Sequence, residues 1–126
     1  MSDIRNVSAV TLATHDMARA VAFYEKLGFV VSKGGRDADF TTFQVGATAF
    51  NLIRAGDDRR WSWWGRVIFY VSSVDAMYER AVSAGIDPDF APRDAPWNER
   101  YFHVTDPDSH EISFAAPLPS EARHGQ

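Results

Sequence analysis

An internal repeat constrains the fold of this chain more than any other feature. Residues 9–29 read AVTLATHDMARAVAFYEKLGF, and residues 66–86 read RVIFYVSSVDAMYERAVSAGI. Each stretch begins with a short apolar run, continues with apolar residues at helical spacing, and ends in glycine followed by one apolar residue. A repeated segment of this kind is typical of one supersecondary unit used twice. The sequence therefore predicts two copies of a strand-helix unit.

The predicted helix has a start and a stop signal in each copy. Asp16 and Ser73 can accept hydrogen bonds from the free N–H groups of the first helical turn. Gly28 and Gly85 can take the left-handed conformation that ends a helix. Between these signals the apolar residues recur at helical spacing; they are Met17, Val21, Tyr24 and Leu27 in the first copy and Val74, Met77, Tyr78 and Ala81 in the second.

The remaining segments alternate with a period of two, as half-buried strands do. The apolar positions predicted to face the helices are Val10, Leu12, Phe43, Val45, Phe50, Leu52, Val67, Phe69, Val71, Phe102, Val104, Ile112 and Phe114. The opposite faces carry a consistent polar set, which comprises Thr11, Gln44, Asn51, Arg66, Tyr70, His103, Thr105, Glu111 and Ser113. The order along the chain is strand, helix and three strands, twice over.

The predicted fold class is α+β, with two βαβββ modules at about residues 7–54 and 65–117. Because each helix covers one face of its own strands, the polar faces are expected to curl into one incomplete, eight-stranded mixed sheet with the helices outside. We expect a single domain over residues 1–126 whose sheet forms a cup. A frayed tail at 118–126, with a solvated His124, is predicted to follow. His15 and His110, at corners of the fold, are expected to be solvated as well.

Composition excludes several classes of function. The 126 residues contain no cysteine, so disulfides, thiolate metal sites and a cysteine nucleophile are ruled out. A net charge of -4 with dispersed lysine and arginine argues against a nucleic-acid partner. The apolar runs are far shorter than the roughly 20 residues of a membrane span, and the first residues form no apolar signal segment. We therefore expect a cytoplasmic protein without a membrane partner.

Three motifs carry a family resemblance. They are HDMARAVAFYEKLGF at 15–29, SSVDAMYERAVSAGI at 72–86 and YFHVTDPDSHEISFAAPL at 101–118. In this order and spacing they resemble the vicinal oxygen chelate superfamily, which includes glyoxalase I, bleomycin resistance proteins, fosfomycin resistance enzymes and extradiol dioxygenases. The resemblance covers nearly the whole chain. It implies the cup-shaped fold, a small-molecule ligand and a homodimer, and says much less about chemistry.

The metal of the catalytic family members has poor ligands here. The resemblance places the four ligand positions, usually His and Glu, at Ala9, Asn51, Arg66 and Ser113. Alanine has no donor atom, arginine brings a fixed positive charge, and the other two offer only weak neutral oxygens. The sequence therefore predicts no metal and no other cofactor at these positions.

The acidic stretch DPDSHE at 106–111 has two interpretations, a metal site or a tight turn. Asp106 can accept backbone hydrogen bonds at the first position of a turn, and Pro107 presets the second. The family usually has glycine where Ser109 stands, which predicts a slightly strained turn. The turn is the preferred interpretation.

Polar residues of the strands are the candidate ligand-binding and catalytic groups. Phe102 and Phe114 share a face only if Thr105 pairs with Glu111 and His103 with Ser113. His103 then points into the cup, as a structural residue, a ligand contact or a low-ranked catalytic base or metal ligand. Arg66 should meet either Glu111 or an anionic ligand group. The further predicted ligand-binding strand residues, whose alternative is a self-satisfied cup, are Thr11, Asn51, Tyr70, Glu111 and Ser113.

Four tryptophans stand before strands. Three lie in Trp61-Ser62-Trp63-Trp64, before the fifth predicted strand, and Trp97 precedes the seventh. Aromatic side chains are more often core or interface than ligand platforms. Trp61, Trp64 and Trp97 are candidates for stacking on a ligand at the rim of the cup, and packing in a dimer is the alternative.

Three functions stay open from sequence. The first is a bleomycin-resistance-like protein that binds a small, partly aromatic or anionic molecule without a metal. The second is a metal-dependent lyase or dioxygenase of the glyoxalase type, with the metal displaced toward His103 and Glu111. The third is an oligomerisation domain whose cup is filled by its own side chains.

Overall fold

The computed structural model of the chain describes residues 2–119. Its elements are β1 Ala9–Thr14, α1 Met17–Lys26, β2 Val30–Lys33, β3 Phe40–Val45, β4 Thr48–Arg54, β5 Arg66–Tyr70, α2 Val74–Ser83, β6 Arg93–Ala95, β7 Glu99–Thr105 and β8 Glu111–Pro117. The predicted order of strand, helix and three strands, twice over, is confirmed. The chain divides into two compact units on either side of the Trp61-Ser62 bond, and each unit contains one βαβββ module.

The first unit is an open, mixed sheet with strand order β1-β4-β3-β2. β1 runs parallel to β4, while β3 is antiparallel to both of its neighbours. Helix α1 begins where the Asp16 side chain accepts from the backbone N–H of Arg19, and it ends before Gly28, whose φ is 100°. The cap and stop signals of the sequence therefore act as predicted.

The core of the first unit lies between α1 and its sheet. Tyr24 is fully buried, and its ring lies 5.0 Å from the Phe50 ring and 5.3 Å from the Phe29 ring. Leu12, Leu52 and Phe43 are buried as well. These apolar positions are the ones that period-two alternation assigned to the helix side.

The second unit repeats the plan with strand order β5-β8-β7-β6. Its helix α2 begins at the Ser73 cap, and Gly85 follows it with a φ of 83°. The predicted register is confirmed, because Thr105 is opposite Glu111 and His103 is opposite Ser113. Phe102, Val104, Ile112 and Phe114 are fully buried on the helix side. The α+β fold of two βαβββ modules is thereby confirmed, and their combination into one domain stays a prediction.

The DPDS stretch is a turn, as preferred from sequence. One carboxylate oxygen of Asp106 accepts from the backbone N–H groups of Asp108 and His110, both at 2.9 Å. Ser109 has a φ of 70°, in the left-handed region that favours glycine, which agrees with the predicted strain. Because these groups are used locally, Asp106 serves the turn.

The expectation of a solvated His110 is wrong. The residue is only 3% exposed, and its Nδ1 accepts a 2.7 Å hydrogen bond from the indole of Trp64. His15 is exposed as expected, but its ring stacks on Trp61 at 4.6 Å. His124 and the tail residues 120–126 lie outside the described residues. Leu118, inside them, donates its N–H to the Asn98 carbonyl.

Neither α1 nor α2 is long enough to cross a bilayer, and no other helix of residues 2–119 meets that requirement.

Candidate functional site

A cavity of about 320 Å³ lies on the face of the second sheet that α2 leaves uncovered. Every second residue of a strand points to the same face of the sheet. The register of the four strands therefore brings lining residues from all of them to this face. They are Arg66, Ile68, Arg93, Trp97, Glu99, Tyr101, His103, Ser113 and Ala115. Four of the predicted site residues, Arg66, Trp97, His103 and Ser113, are thus brought together.

Arg66 is paired with a carboxylate at one end of the cavity. Its Nε lies 2.5 Å from Oε1 of Glu111, the residue opposite it on β8, and the Trp63 indole donates to the same oxygen at 3.3 Å. Burial alone would raise the pKa of Glu111, but the bonds from Arg66 and Trp63 hold that pKa below its ordinary value. Of the two sequence-based alternatives for Arg66, the structure shows the ion pair.

A second carboxylate, Glu99, is held by two neutral donors. The Trp97 indole donates to Oε1 at 3.0 Å, and the Tyr70 hydroxyl donates to Oε2. This hydrogen bond is the main reason that the pKa of Tyr70 is raised, so the phenol stays neutral. Tyr70 itself is 64% exposed on the same sheet face. The carboxylate of Glu99 is therefore fixed in position, but its charge is not neutralised by these partners.

Arg93 is held by aromatic rings. Its guanidinium lies 3.7 Å from the centre of the Phe90 ring and 5.5 Å from the centre of the Tyr101 ring. Arg93 is opposite Tyr101 in the β6-β7 register. Cation-π contacts of this geometry are favourable and restrict the arginine side chain. The rings of Tyr101, His103, Phe90 and Trp97 form one continuous aromatic group along β7, with neighbouring ring centres 4.9 to 5.8 Å apart.

His103 lies between the charged groups and has a lowered pKa. Burial is the main cause, and the positive charges of Arg66 and Arg93 add to it, while Glu111 and Asp89 oppose it. The imidazole is therefore neutral near pH 7. Its Nδ1 is 3.9 Å from Oε2 of Glu111, and ligand atoms of Asp89, His103 and Glu111 all lie within 4.8 Å of one another.

The other predicted ligand-binding residues lie outside this cavity. In the first unit, the Asn51 amide donates to the Thr11 hydroxyl at 3.1 Å, and the Asn51 Oδ1 is buried without a hydrogen-bond partner in the described residues. Trp61, also in the first unit, stacks on His15. In the second unit, Trp64 donates to His110. A ligand role for these four residues stays a prediction.

Sequence reasoning missed two charged residues of the cavity, Arg93 and Glu99, and part of the aromatic group beside it, Tyr101 and Phe90. Glu99 and Tyr101 carried a usable signal, since they are four and two residues before His103 and period two puts them on its face. Arg93 carried none, because β6 has only three residues, too few to show a pattern. Phe90 precedes β6 in a segment without regular structure and was equally invisible.

The residues at the family's metal positions do not fit a divalent ion. In the first unit, Ala9 has no donor and Asn51 offers one neutral oxygen. In the second unit, Arg66 contributes a cation, and Ser113 a hydroxyl. Divalent metals require several oxygen or nitrogen donors, preferably anionic or imidazole. We therefore derive no chemistry through a metal at these positions.

Comparison with known proteins identifies the family. Residues 6–114 match the model of the Glyoxalase/Bleomycin resistance protein/Dioxygenase superfamily. The chain belongs to this superfamily. No curated protein sequence matches it significantly.

Solved structures with the same fold include both binding proteins and enzymes of the superfamily. A glyoxalase/bleomycin resistance protein/dioxygenase from Nocardioides is 25% identical, covering 94% of this chain and 87% of that one, with a TM-score of 0.74. A bleomycin-binding protein complexed with bleomycin is 22% identical, with 90% and 98% coverage and a TM-score of 0.71. Lactoylglutathione lyase from Agrobacterium tumefaciens is 18% identical, with 88% and 92% coverage and a TM-score of 0.72. The latter two likenesses concern the fold alone.

Proposed function

We propose that this superfamily member binds a small, partly aromatic molecule in the cavity of its second module, without the family's metal. The observation that carries the proposal is the continuous aromatic group of Trp97, Tyr101, His103 and Phe90 beside that cavity. Aromatic rings at 4.5 to 7 Å attract one another in stacked or edge-on arrangements. An aromatic ligand would extend this arrangement by one more ring.

The exposure of Trp97 supports a ligand contact. This indole is 61% exposed, although its N–H is fixed on Glu99. A large apolar ring that is held in place and left open to solvent costs little conformational entropy when a ligand covers it. The bleomycin-binding protein, which has the same fold, was solved in complex with bleomycin, and on that precedent binding is proposed here as well.

The test is a ligand titration followed by NMR. Backbone amide and indole N–H signals of the protein are recorded while benzyl alcohol, or cyclohexylmethanol as its non-aromatic match, is added. The aromatic alcohol should shift signals of β7 and of the Trp97 indole, and the cyclohexyl compound should shift them much less.

A pair of identical substitutions provides the control. Trp97→Leu should weaken binding of benzyl alcohol about tenfold, the effect of losing roughly 1.4 kcal/mol of aromatic contact. Trp61→Leu, outside the cavity, should leave binding unchanged if the second module holds the ligand, whereas a loss in this variant would support the ligand role predicted for Trp61 from sequence. Equal loss in both variants, or shifts confined to residues away from β7, would contradict the proposal.

A metal-dependent lyase or dioxygenase is the second candidate, because Asp89, His103 and Glu111 bring three potential ligand atoms together. The neutral imidazole of His103 can act as a metal ligand, which favours this candidate. Against it, Glu111 already pairs with Arg66, whose positive charge would repel a cation at the same carboxylate. Elemental analysis after incubation with manganese, iron, nickel and zinc should find far less than one tightly bound ion per chain. If one ion per chain is found and His103→Ala removes it, the result would support the metal-dependent enzyme instead.

Two expectations remain as proposals: a homodimer, on the family resemblance, and a cytoplasmic location, on the short apolar runs of the sequence. Sedimentation velocity of the untagged protein measures the assembly directly. A dimer that survives dilution would agree with the proposal, while a dimer without any ligand response would favour the oligomerisation domain.

A further inference from the structure

We propose that the ligand of this cavity is zwitterionic across an aromatic ring, with its anionic group bound by Arg93 and its cationic group by Glu99. The inference rests on the proposed function and specifies the ligand class. The cavity contains two kinds of charged residue. One kind, Arg66 with Glu111, is paired within the protein. The other kind, Arg93 and Glu99, has no ion-pair partner among residues 2–119.

Arg93 is held by aromatic rings and by no carboxylate of the described residues. Within residues 2–119 no carboxylate lies at ion-pairing distance from its guanidinium. Its position comes from Phe90 and Tyr101, which contact the guanidinium through their ring faces. Stacking on a ring leaves the N–H edge of a guanidinium available, and that edge binds carboxylate, phosphate or sulfonate groups with two parallel hydrogen bonds. A stacked arginine is thus prepared to receive an anion.

Glu99 is the matching anion. Its two oxygens accept from Trp97 and Tyr70, which are both neutral. No cationic side chain in the described part of the chain lies at ion-pairing distance from it. A carboxylate has about four lone-pair positions, so two donors leave room for an ammonium or amidinium group of a ligand. The surrounding donors orient this group while leaving its charge available.

The register sets the distance between the two charges. Arg93 is opposite Tyr101, and Glu99 is two residues before Tyr101 on the same face. Diagonal neighbours of this kind are about 7 to 8 Å apart between their Cα atoms. They are close enough to pair directly, yet each is held by its own aromatic neighbours instead. Tyr101 lies beside Arg93 and Trp97 beside Glu99, and the two rings are 5.8 Å apart between their centres, so a ligand's ring that stacks on them lies between the two charges.

The experiment uses four probes built on one ring. Para-aminomethylbenzoate carries both charges, benzoate carries only the anion, benzylamine carries only the cation, and benzyl alcohol carries neither. Their dissociation constants are measured by NMR titration of the protein at pH 7 and low salt. One exposed charge pair contributes up to about fivefold in affinity. The zwitterion should therefore bind more tightly than either singly charged probe by about that factor.

Variants assign each charge to one residue. Arg93→Gln should weaken binding of benzoate and the zwitterion about fivefold and leave benzylamine unchanged. Glu99→Gln should do the same to benzylamine and the zwitterion and leave benzoate unchanged. Arg93→Lys keeps the charge but loses the stacked guanidinium and its two parallel N–H donors, so its benzoate affinity should fall between those of the wild type and Arg93→Gln. Two control variants change the net charge by the same unit as the test variants. Arg100→Gln, on the opposite sheet face, matches Arg93→Gln, and Glu79→Gln, on α2, matches Glu99→Gln. Neither control should change the affinity for any probe.

The four probes also separate failure of the zwitterion proposal from failure of the proposed aromatic ligand site. A zwitterion no tighter than benzoate or benzylamine overturns the inference. So does a gain of about fivefold in benzoate affinity on Glu99→Gln, which exceeds the relief of charge repulsion at this separation and would mean that Arg93 and Glu99 pair with each other in solution. If benzyl alcohol binds normally in such a case, the proposed aromatic ligand site survives. If none of the four aromatic probes binds, the proposed function fails as well.

Discussion

At the scale of single residues, Ser109 is a non-glycine residue in a backbone conformation that costs conformational energy. Ser109 occupies a left-handed position, with a φ of 70°, in the turn between β7 and β8. Only glycine adopts this conformation without a steric penalty, because it has no Cβ. The turn keeps its shape because the Asp106 side chain accepts two backbone N–H groups within it.

Ser109→Gly is predicted to stabilise the protein by about 0.5 to 1 kcal/mol, since relief of strain exceeds the added entropy of the unfolded chain. Ser109→Val, with a branched Cβ, should lower stability by about 1 to 2 kcal/mol. Urea unfolding at pH 7 measures both free energies. A destabilised glycine variant would show that the serine side chain contributes more than its backbone strain costs.

His103 predicts a pH dependence of stability. Its pKa is lowered in the folded state, mainly by burial, so the unfolded chain binds a proton more readily than the folded protein does. Its contribution is therefore fully present above the unfolded pKa of about 6.5 and is lost as the pH falls from there toward the folded value. The slope from one such group cannot exceed about 1.4 kcal/mol per pH unit.

His103→Asn should flatten this slope, so that the wild type loses more stability than the variant between pH 7 and pH values below 6.5. The measurement is the free energy of urea unfolding at a series of pH values. Parallel curves for the two proteins would mean that His103 does not carry the effect.

At the scale of elements, one loop depends on a close approach between backbone segments. Gly34 follows β2, has a φ of 81°, and would place a Cβ only 2.3 Å from the carbonyl oxygen of Phe40. Gly46, in the β3-β4 turn, has a φ of 55° but open space around it. The two glycines share a left-handed backbone and differ in contact, which makes them a matched pair.

Gly34→Ala is predicted to lower the free energy of unfolding by at least about 2 kcal/mol, because both strain and overlap with backbone must be relieved. Gly46→Ala should cost only about 1 kcal/mol, from backbone strain alone. Thermal or urea unfolding of both variants decides the point. Equal losses would show that the loop after β2 moves aside at no extra cost.

At the scale of the whole molecule, the chain consists of two modules joined by a segment without helix or strand. Residues 55–65 connect β4 to β5, and Arg59 and Arg60 in this segment are exposed. A protease needs an accessible stretch of chain that is free of sheet and helix hydrogen bonds. The connection offers such a stretch between two compact units.

Brief digestion with trypsin is therefore expected to cut the interior of the chain first after Arg59 or Arg60 and to release fragments close to one module each. Mass spectrometry of the early products identifies the site. The double variant Arg59→Gln, Arg60→Gln should resist this first cut. Initial cleavage within α1, α2 or a strand would contradict the prediction.

The fold was largely predictable because its signals are local. Caps at Asp16 and Ser73, stops at Gly28 and Gly85, and period-two strands each depend on only a few neighbouring residues, and the repeat supplied the same evidence twice. The register of β7 and β8 followed from keeping Phe102 and Phe114 on one face. The α+β class with two βαβββ modules was therefore available without coordinates.

The candidate site was only partly predictable, because charge pairing depends on which side chains meet. The sequence placed Arg66, His103, Ser113 and Trp97 on or near a ligand-facing surface, but could not decide between an ion pair and an anion for Arg66. Folding decided it by bringing Glu111 opposite Arg66 across a parallel strand pair. His110 was misjudged for the same reason, since its partner Trp64 is 46 positions away in the chain.

The sequence by itself determined the elements, their order and the helix-facing core, since these depend on residue type and short-range periodicity. Only the tertiary structure decided which charges are neutralised and which stay available. Arg93 lies on the three-residue strand β6 and Glu99 on the neighbouring β7, and both line the same cavity. Their aromatic partners come from separate segments of the chain. Such long-range contacts leave no periodic trace in the sequence, although they set the chemistry of the cavity.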